Sequence, residues 1–282
     1  MFELLDYEFM RRALLAAVMT GLTAPAIGTY LVQRRLALLG DDLGHIALTG
    51  VALGLLTGFA PLLTAVIVAA LGAIVIELLR VYGRTSGDVA LALLFYGGIA
   101  GGVILTNLAG GSAATLNNYL FGAITTVSDG DLRLVGVMTV LILLFAVGLS
   151  PQLFAVCQDE EHARVSGVPV RVYGLLIAVL AAVTVTVAMR TVGLLLVSAL
   201  MVVPVATAQQ VTRSFRLTFV LAMAIGTLAS VFGVTTSFWA DTQPGPTIVM
   251  IALAAFLITT PIGAVLRARR HNRVSFDSTV DA

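Results

Sequence analysis

The sequence predicts an all-α protein, a polytopic membrane helix bundle of about nine transmembrane helices, with eight as the alternative count. Three observations predict it. The 282 residues are 59% hydrophobic and 11% charged, where a soluble domain carries about 25% charge, and mean hydropathy is +1.03. Apolar runs of about 20 residues, the length that crosses a bilayer, follow one another along the chain. The arginines return between alternate runs, as the positive-inside rule requires.

Nine runs lie at roughly 10–32, 37–59, 61–81, 88–108, 132–150, 172–190, 192–210, 217–238 and 246–266. The second and third are parted only by Gly58 to Pro61, and the sixth and seventh only by Arg190-Thr191, which is why eight crossings is the alternative. With the arginine-rich C-terminal tail (Arg267, Arg269, Arg270, Arg273) inside, nine crossings put the N-terminus outside. The inner loops then carry Arg34 and Arg35, Arg80 and Arg84, Arg164 and Arg171, and Arg213 and Arg216. Arg11, Arg12, Arg133 and Arg190 are the exceptions near outer ends. No cleavable signal peptide is expected, because the first apolar run is too long for a signal core and Glu3, Asp6 and Glu8 precede it. One transmembrane domain covers 1–270, and the polar tail 271–282 is expected to be disordered.

Between the fourth and fifth runs, 109–131 is too polar to span, and Asn117-Asn118-Tyr119-Leu120-Phe121-Gly122 reads as a short amphipathic or re-entrant helix. Between the fifth and sixth runs, Gln158 to Pro169 reads as a short helix. Acidic residues lead it, Arg164 follows, Gly167 ends it and Pro169 lies just beyond. It is either a docking piece on the cytoplasmic face or an ordinary solvated loop. Rows of glycine four apart (Gly50, Gly54, Gly58; Gly97, Gly101; Gly98, Gly102) let helices approach closely. They serve either tight packing or the sliding of the second helix.

Several functions are excluded or disfavoured. The chain contains no lysine; its 16 basic residues are all arginine. The phosphate-binding loop G-x-x-x-x-G-K-[ST] therefore cannot be present. Cys157 is the single cysteine, so neither a disulfide framework nor a cysteine-based metal cluster forms within one chain. A net charge of +1 offers nothing for nucleic acid. No His-Glu pair opens an H-E-x-x-H motif, and G-x-S-x-G is also absent. A secondary transporter should show inverted repeats, and none is convincing.

The chemistry concentrates in Gly40-Asp41-Asp42-Leu43-Gly44-His45. An acidic residue at the centre of a spanning helix costs roughly 3 kcal/mol on insertion scales, so such residues tend to mark a pathway. Asp41 and His45 are four apart and share a helix face. A carboxylate and an imidazole are half of a divalent-metal site, and a two-fold copy would complete four ligands. The plainer reading makes Asp41 a helix cap and His45 a packing residue. If the helix begins near Arg35, Asp41 lies about 9 Å inside and His45 about 15 Å. Asp42 points about 100° away and is read as a partner for Arg34 or Arg35. Glu77 is expected to pair with Arg80 or snorkel, Asp88 to cap the fourth helix, and Pro204 to break the seventh, freeing carbonyls toward the path.

Gly40 to Ala52 resembles the GD-x-L-x-H-A-x-L-x-G-V-A segment of bacterial zinc/manganese ABC transporter permeases. Tyr119-Leu120-Phe121-Gly122, Val192 to Ala208 and Asp241-Thr242-Gln243-Pro244-Gly245-Pro246 are similar to further segments of that family, in the same order. The sequence departs from the pattern at Asp42, Ile46, Thr49 and Gln209-Gln210. The resemblance implies the fold of the vitamin B12 and siderophore permeases (type II ABC importers) in a bacterial inner membrane. It implies a permease homodimer, two cytoplasmic ATP-binding subunits and an extracytoplasmic metal-binding protein, with Zn2+ or Mn2+ as the transported ion and no resident cofactor. It places Asp41 and His45 on the metal path. Glu161, Arg164 and Gly167 fall in the coupling region 158–171 that meets the ATPase, and Trp239 and Asp241 fall where the binding protein docks. A siderophore or cobalamin permease is the alternative within the fold.

Overall fold

The computed structural model describes residues 7–82, 87–111, 113–123 and 128–280, with side chains as far as Ala264 except at 81–82, 87–88, 90 and 113–116. Twelve helices follow one another among these residues: α1 (Glu8–Gln33), α2 (Leu39–Thr57), α3 (Pro61–Tyr82), α4 (Gly87–Leu108), α5 (Ala113–Phe121), α6 (Asp129–Gly148), α7 (Ser150–Gln158), α8 (Glu160–Val165), α9 (Val170–Ala188), α10 (Leu194–Val211), α11 (Phe215–Ala240) and α12 (Pro244–Val280). Nine are long and apolar enough to cross a membrane: α1 to α4, α6 and α9 to α12. They coincide with the nine runs read from sequence. The tight joints are real turns: Gly58 takes a left-handed φ of 75° to end α2, and Gly193 does so at 83° before α10.

The short helices fall at opposite ends. α5 lies with the starts of α1, α6, α10 and α12; α7 and α8 lie with the ends of α1 and α3 and the start of α9. α7 is an element the sequence reading missed, although Ser150-Pro151 is a helix-start signal because proline suits the first turn. The backbone of α12 stays helical past its apolar part as far as Val280. The cap expected of Asp88, the charges of Arg84 and the tail arginines, and the side chains of 271–282 lie outside the described residues.

Burial sorts the spanning helices. Within its apolar window α1 is 72% buried, whereas α4 is only 17% and α6 and α12 are 22%. α1 is gripped through glycine: Gly28 lies against the Met201 backbone of α10, and a Cβ at Gly21 would come within 2.6 Å of Thr227 Cα on α11. α2 packs between α3 and α4 and touches α9 and α10. Gly50 and Gly54 meet α3 at Ala65, Thr64 and Pro61, while Gly98 and Gly102 meet α2 at His45 and Leu48. Gly97 has open space instead. Close packing therefore accounts for most of the glycine rows.

Pro204 does not break its helix. α10 runs unbroken from Leu194 to Val211 with Pro204 buried inside it. Proline costs about 3 kcal/mol in a helix interior. Neighbouring helices hold the segment in register. Pro25 is carried inside α1 in the same way.

Candidate functional site

Asp41 and Asp42 stand in the first turn of α2, where the helix dipole favours negative charge. One turn on, His45 is 6% exposed. Its Nδ1 lies 2.9 Å from the Asp41 carbonyl oxygen. A carbonyl only accepts, so Nδ1 is the donor, and in the neutral ring the lone pair then lies on Nε2, the tautomer in which imidazole binds a metal. The ring lies 4.3 Å from that of Phe95. α4 comes this close because Gly98 has no side chain: a Cβ there would stand 2.7 Å from the His45 carbonyl carbon. Gly40 and Gly44 press the other side of α2 toward Met201 and Leu194 of α10.

Two sequence departures have local reasons here. Thr49 donates its hydroxyl to the Gly98 carbonyl at 2.7 Å, tying α2 to α4 one turn beyond His45. Ile46 fills the space that Gly72 leaves on α3. Asp42 is half-buried and, contrary to its expected role, pairs with neither arginine: Arg34 turns to Glu160, and no ion pair to Asp42 forms among the described residues. No group of three or more His, Cys, Asp and Glu gathers here or elsewhere among the described residues. One chain therefore offers one imidazole nitrogen with the half-buried carboxylates of Asp41 and Asp42, short of the four ligands of a closed zinc site.

The second sequence-predicted group lies at the α7–α8 end. Asp159 caps α8 by accepting from the Glu161 and His162 N–H groups, each at 2.9 Å. Gly167 follows with a left-handed φ of 82°. Glu161 and Arg164 are exposed. The acid that ties α8 to the bundle is Glu160, which sequence reasoning passed over. It pairs with Arg34 at the end of α1 and stands 3.8 Å from Arg80 of α3. Arg80 also holds Glu77 at 3.1 Å, as expected. Glu77 is buried against Gly174 of α9, where any larger residue would strike its carboxylate. Nearby, burial pushes the Cys157 thiol up to about 12, with Arg34 opposing and Glu160 adding to the shift.

At the α5 end, Trp239 is 66% exposed at the foot of α11, and Asp241 ends that helix in a left-handed conformation at φ 50°. The three other family-like segments converge beside them. Gly193, between α9 and α10, lies against the Phe121 and Gly122 backbone. A Cβ at Gly122 would stand 2.5 Å from the Thr191 carbonyl oxygen. Gly245 of α12 lies against the Val192 carbonyl. Arg190 closes this knot: it pairs with Asp131 at 2.9 Å and stands 5.1 Å from the centre of the Tyr119 ring. Arg12 is likewise neutralised by Glu8 and Asp129. Two of the four arginine exceptions are thus locally compensated.

Comparison with known proteins agrees along nearly the whole chain. The family model described as "ABC 3 transport family" matches residues 6–262. A "Probable metal transport system membrane protein" of Treponema pallidum (strain Nichols) is 32% identical over 94% of this chain and 100% of its own length. The manganese import system permease protein ScaB of Streptococcus parasanguinis is 31% identical over 94% and 95%. The high-affinity zinc uptake system membrane protein ZnuB of Haemophilus influenzae is 27% identical over 90% and 97%. Among solved structures, PsaBC from Streptococcus pneumoniae, in complex with Fab, superposes with a TM-score of 0.83 at 31% identity, covering 91% of this chain and 92% of that one. A metal-chelate type ABC transporter in an inward-facing conformation shares the fold, with a TM-score of 0.64 at 17% identity. With nine apolar helices in this order and a family match from residue 6 to residue 262, the chain is a multi-pass membrane protein of the ABC 3 transport family.

Proposed function

We propose that this chain is the permease subunit of an ATP-driven divalent-metal importer. It passes Zn2+ or Mn2+ from an extracytoplasmic binding protein to the cytoplasm of a bacterial cell. The family membership and the metals in the names of ScaB and ZnuB support the class of cargo. The observation that carries the site is the Asp41/His45 pair on one helix face, with the imidazole oriented by the bond from its Nδ1 to the Asp41 carbonyl. A homodimer would bring two carboxylates and two imidazoles to the axis. Such a site must also release the ion, so it should bind more weakly than a closed structural site.

A chain without lysine has no G-x-x-x-x-G-K-[ST] loop, so in this reading ATP hydrolysis would fall to a partner subunit. The arginine distribution favours the α7–α8 end as the cytoplasmic one. There Glu161, Arg164 and Gly167 would meet the ATPase, and Trp239 and Asp241 would face the binding protein across the membrane. The test is radiolabelled metal uptake by cells expressing the chain with its ATPase and binding protein, zinc competing against manganese. Uptake of one metal should fall at least about tenfold in His45→Ala and in Asp41→Ala. Unchanged uptake in both variants would return the pair to capping and packing. No uptake of either metal by the unmutated system would favour the siderophore-type reading.

A further inference from the structure

At the α7–α8 end a cavity of about 780 Å3 opens between the ends of α1 and α3, the helices α7 and α8, and the start of α9. Five arginines line it (Arg34, Arg35, Arg80, Arg164 and Arg171) against two glutamates, Glu77 and Glu160. Both glutamates are already engaged, Glu77 by Arg80 and Glu160 by Arg34 with Arg80 near. Arginine therefore outnumbers acid in the lining, and both acids are already held. Arg34 forms its floor, with a side chain only 4% exposed. Arg35 and Arg164 stand exposed at the mouth, and neither forms an ion pair among the described residues. Arg35 also holds a left-handed φ of 59°, a conformation that favours glycine.

We propose that this cavity is a binding site for a phosphate group, which the guanidinium forks of Arg35 and Arg164 would grip at the mouth over the Arg34 floor. Guanidinium matches phosphate in geometry and charge, and such bonds are strong where water is partly excluded. The phosphate has two sources, the headgroup of an anionic phospholipid or free inorganic phosphate. The approach along α3 suits the lipid: Leu71, Val75, Leu78 and Leu79 form an exposed apolar flank running to Arg80 at the rim. An acyl chain would lie there while the headgroup enters the cavity, as basic pockets at the inner membrane surface do for anionic lipids. The proposal rests on the α7–α8 end lying at the cytoplasmic membrane surface and on Arg164 serving the cavity it lines rather than the ATPase. Binding is read without transport, so a failed metal-uptake reading leaves it standing.

The experiment titrates the purified full chain in detergent with phosphatidylglycerol, phosphatidylcholine and inorganic phosphate, reading lipid adducts by native mass spectrometry and melting temperature in parallel. Phosphatidylglycerol should bind in preference to phosphatidylcholine. The double variant Arg35→Gly/Arg164→Ala should weaken it about 30-fold, and Arg35→Lys/Arg164→Lys, which keeps the charge and loses the fork, should fall between the two. Because glycine suits the φ of position 35, the double variant should melt no lower than the unmutated chain when no ligand is present. A rise in melting temperature with inorganic phosphate, and displacement of phosphatidylglycerol by it, would identify free phosphate as an occupant. Binding of phosphatidylglycerol alone would identify the lipid. Equal binding of the two lipids with no phosphate effect, or full affinity in the double variant, overturns the proposal. So does loss of all anion binding once the ATPase subunits are assembled, which would give the cavity to an acidic segment of that partner.

Discussion

His45 shows how a single side chain acquires a chemical state from its own helix. The carbonyl of Asp41, four residues back, holds the Nδ1 proton, and Gly98 lets α4 seal the other side of the ring. Thr49 repeats the economy by bonding to the Gly98 carbonyl at 2.7 Å. Thr49→Val keeps the shape and removes the hydroxyl; it should cost about 0.6–1.7 kcal/mol, the range for hydrogen bonds between membrane helices. A melting temperature lowered by a few degrees, with metal uptake largely preserved, would bear this out. Cys157 yields a different kind of test. Only the thiolate reacts with maleimides, and burial raises this thiol to about 12. Below that pH the neutral form dominates, so at pH 8 the thiolate is about one part in ten thousand. N-ethylmaleimide should leave the folded protein unlabelled at pH 7 to 8 and label it fully once denatured. Rapid labelling of the folded chain would refute this burial.

Among the elements, the short helices depend most on their neighbours. A helix of six residues such as α8 has no stability of its own in water. It exists because Asp159 caps it, Gly167 turns the chain out of it and Glu160 ties it to α1 and α3. Asp159→Ala leaves two N–H groups uncapped and should destabilise α8 by about 1 kcal/mol. The expected result is a nearly unchanged melting temperature with less metal transported per ATP hydrolysed; an unaltered ratio would mean that α8 carries no coupling. At the opposite end, Gly193 stands where a left-handed φ of 83° coincides with backbone contact to Phe121 and Gly122. Gly193→Ala adds the cost of a backbone region that essentially only glycine enters, about 1–3 kcal/mol, to a steric overlap with backbone that cannot move aside. It should lower the melting temperature far more than Gly97→Ala, whose Cβ would meet open space.

For the whole molecule, the arginine distribution and the helix order give one orientation, with the α7–α8 end inside. Because Cys157 is buried, single cysteines can report it. An impermeant maleimide applied to intact spheroplasts should label Trp239→Cys but leave Val165→Cys unlabelled until the membrane is opened; the reverse pattern would invert the protein. The nine crossings, their boundaries, the non-spanning α5 and the helix at 160–165 were all legible in the sequence. Each rests on local physics: apolar length against bilayer thickness, glycine and proline at turns, and capping acids before a helix. Helical spacing likewise puts Asp41 and His45 on one face, the basis of the proposed metal path. What sequence spacing could not supply was everything that joins distant parts of the chain. Asp42 was matched to the nearest arginines, yet Arg34 is drawn 126 residues along to Glu160. Pro204 looked like a helix break until neighbouring helices were there to hold α10 straight. The three glycine segments around residues 122, 193 and 245 looked like separate motifs, and folding brings them into one knot. Ion pairing and close backbone contact depend on distance in space, and in a bundle of crossing helices that distance is set by how the helices pack rather than by their order along the chain.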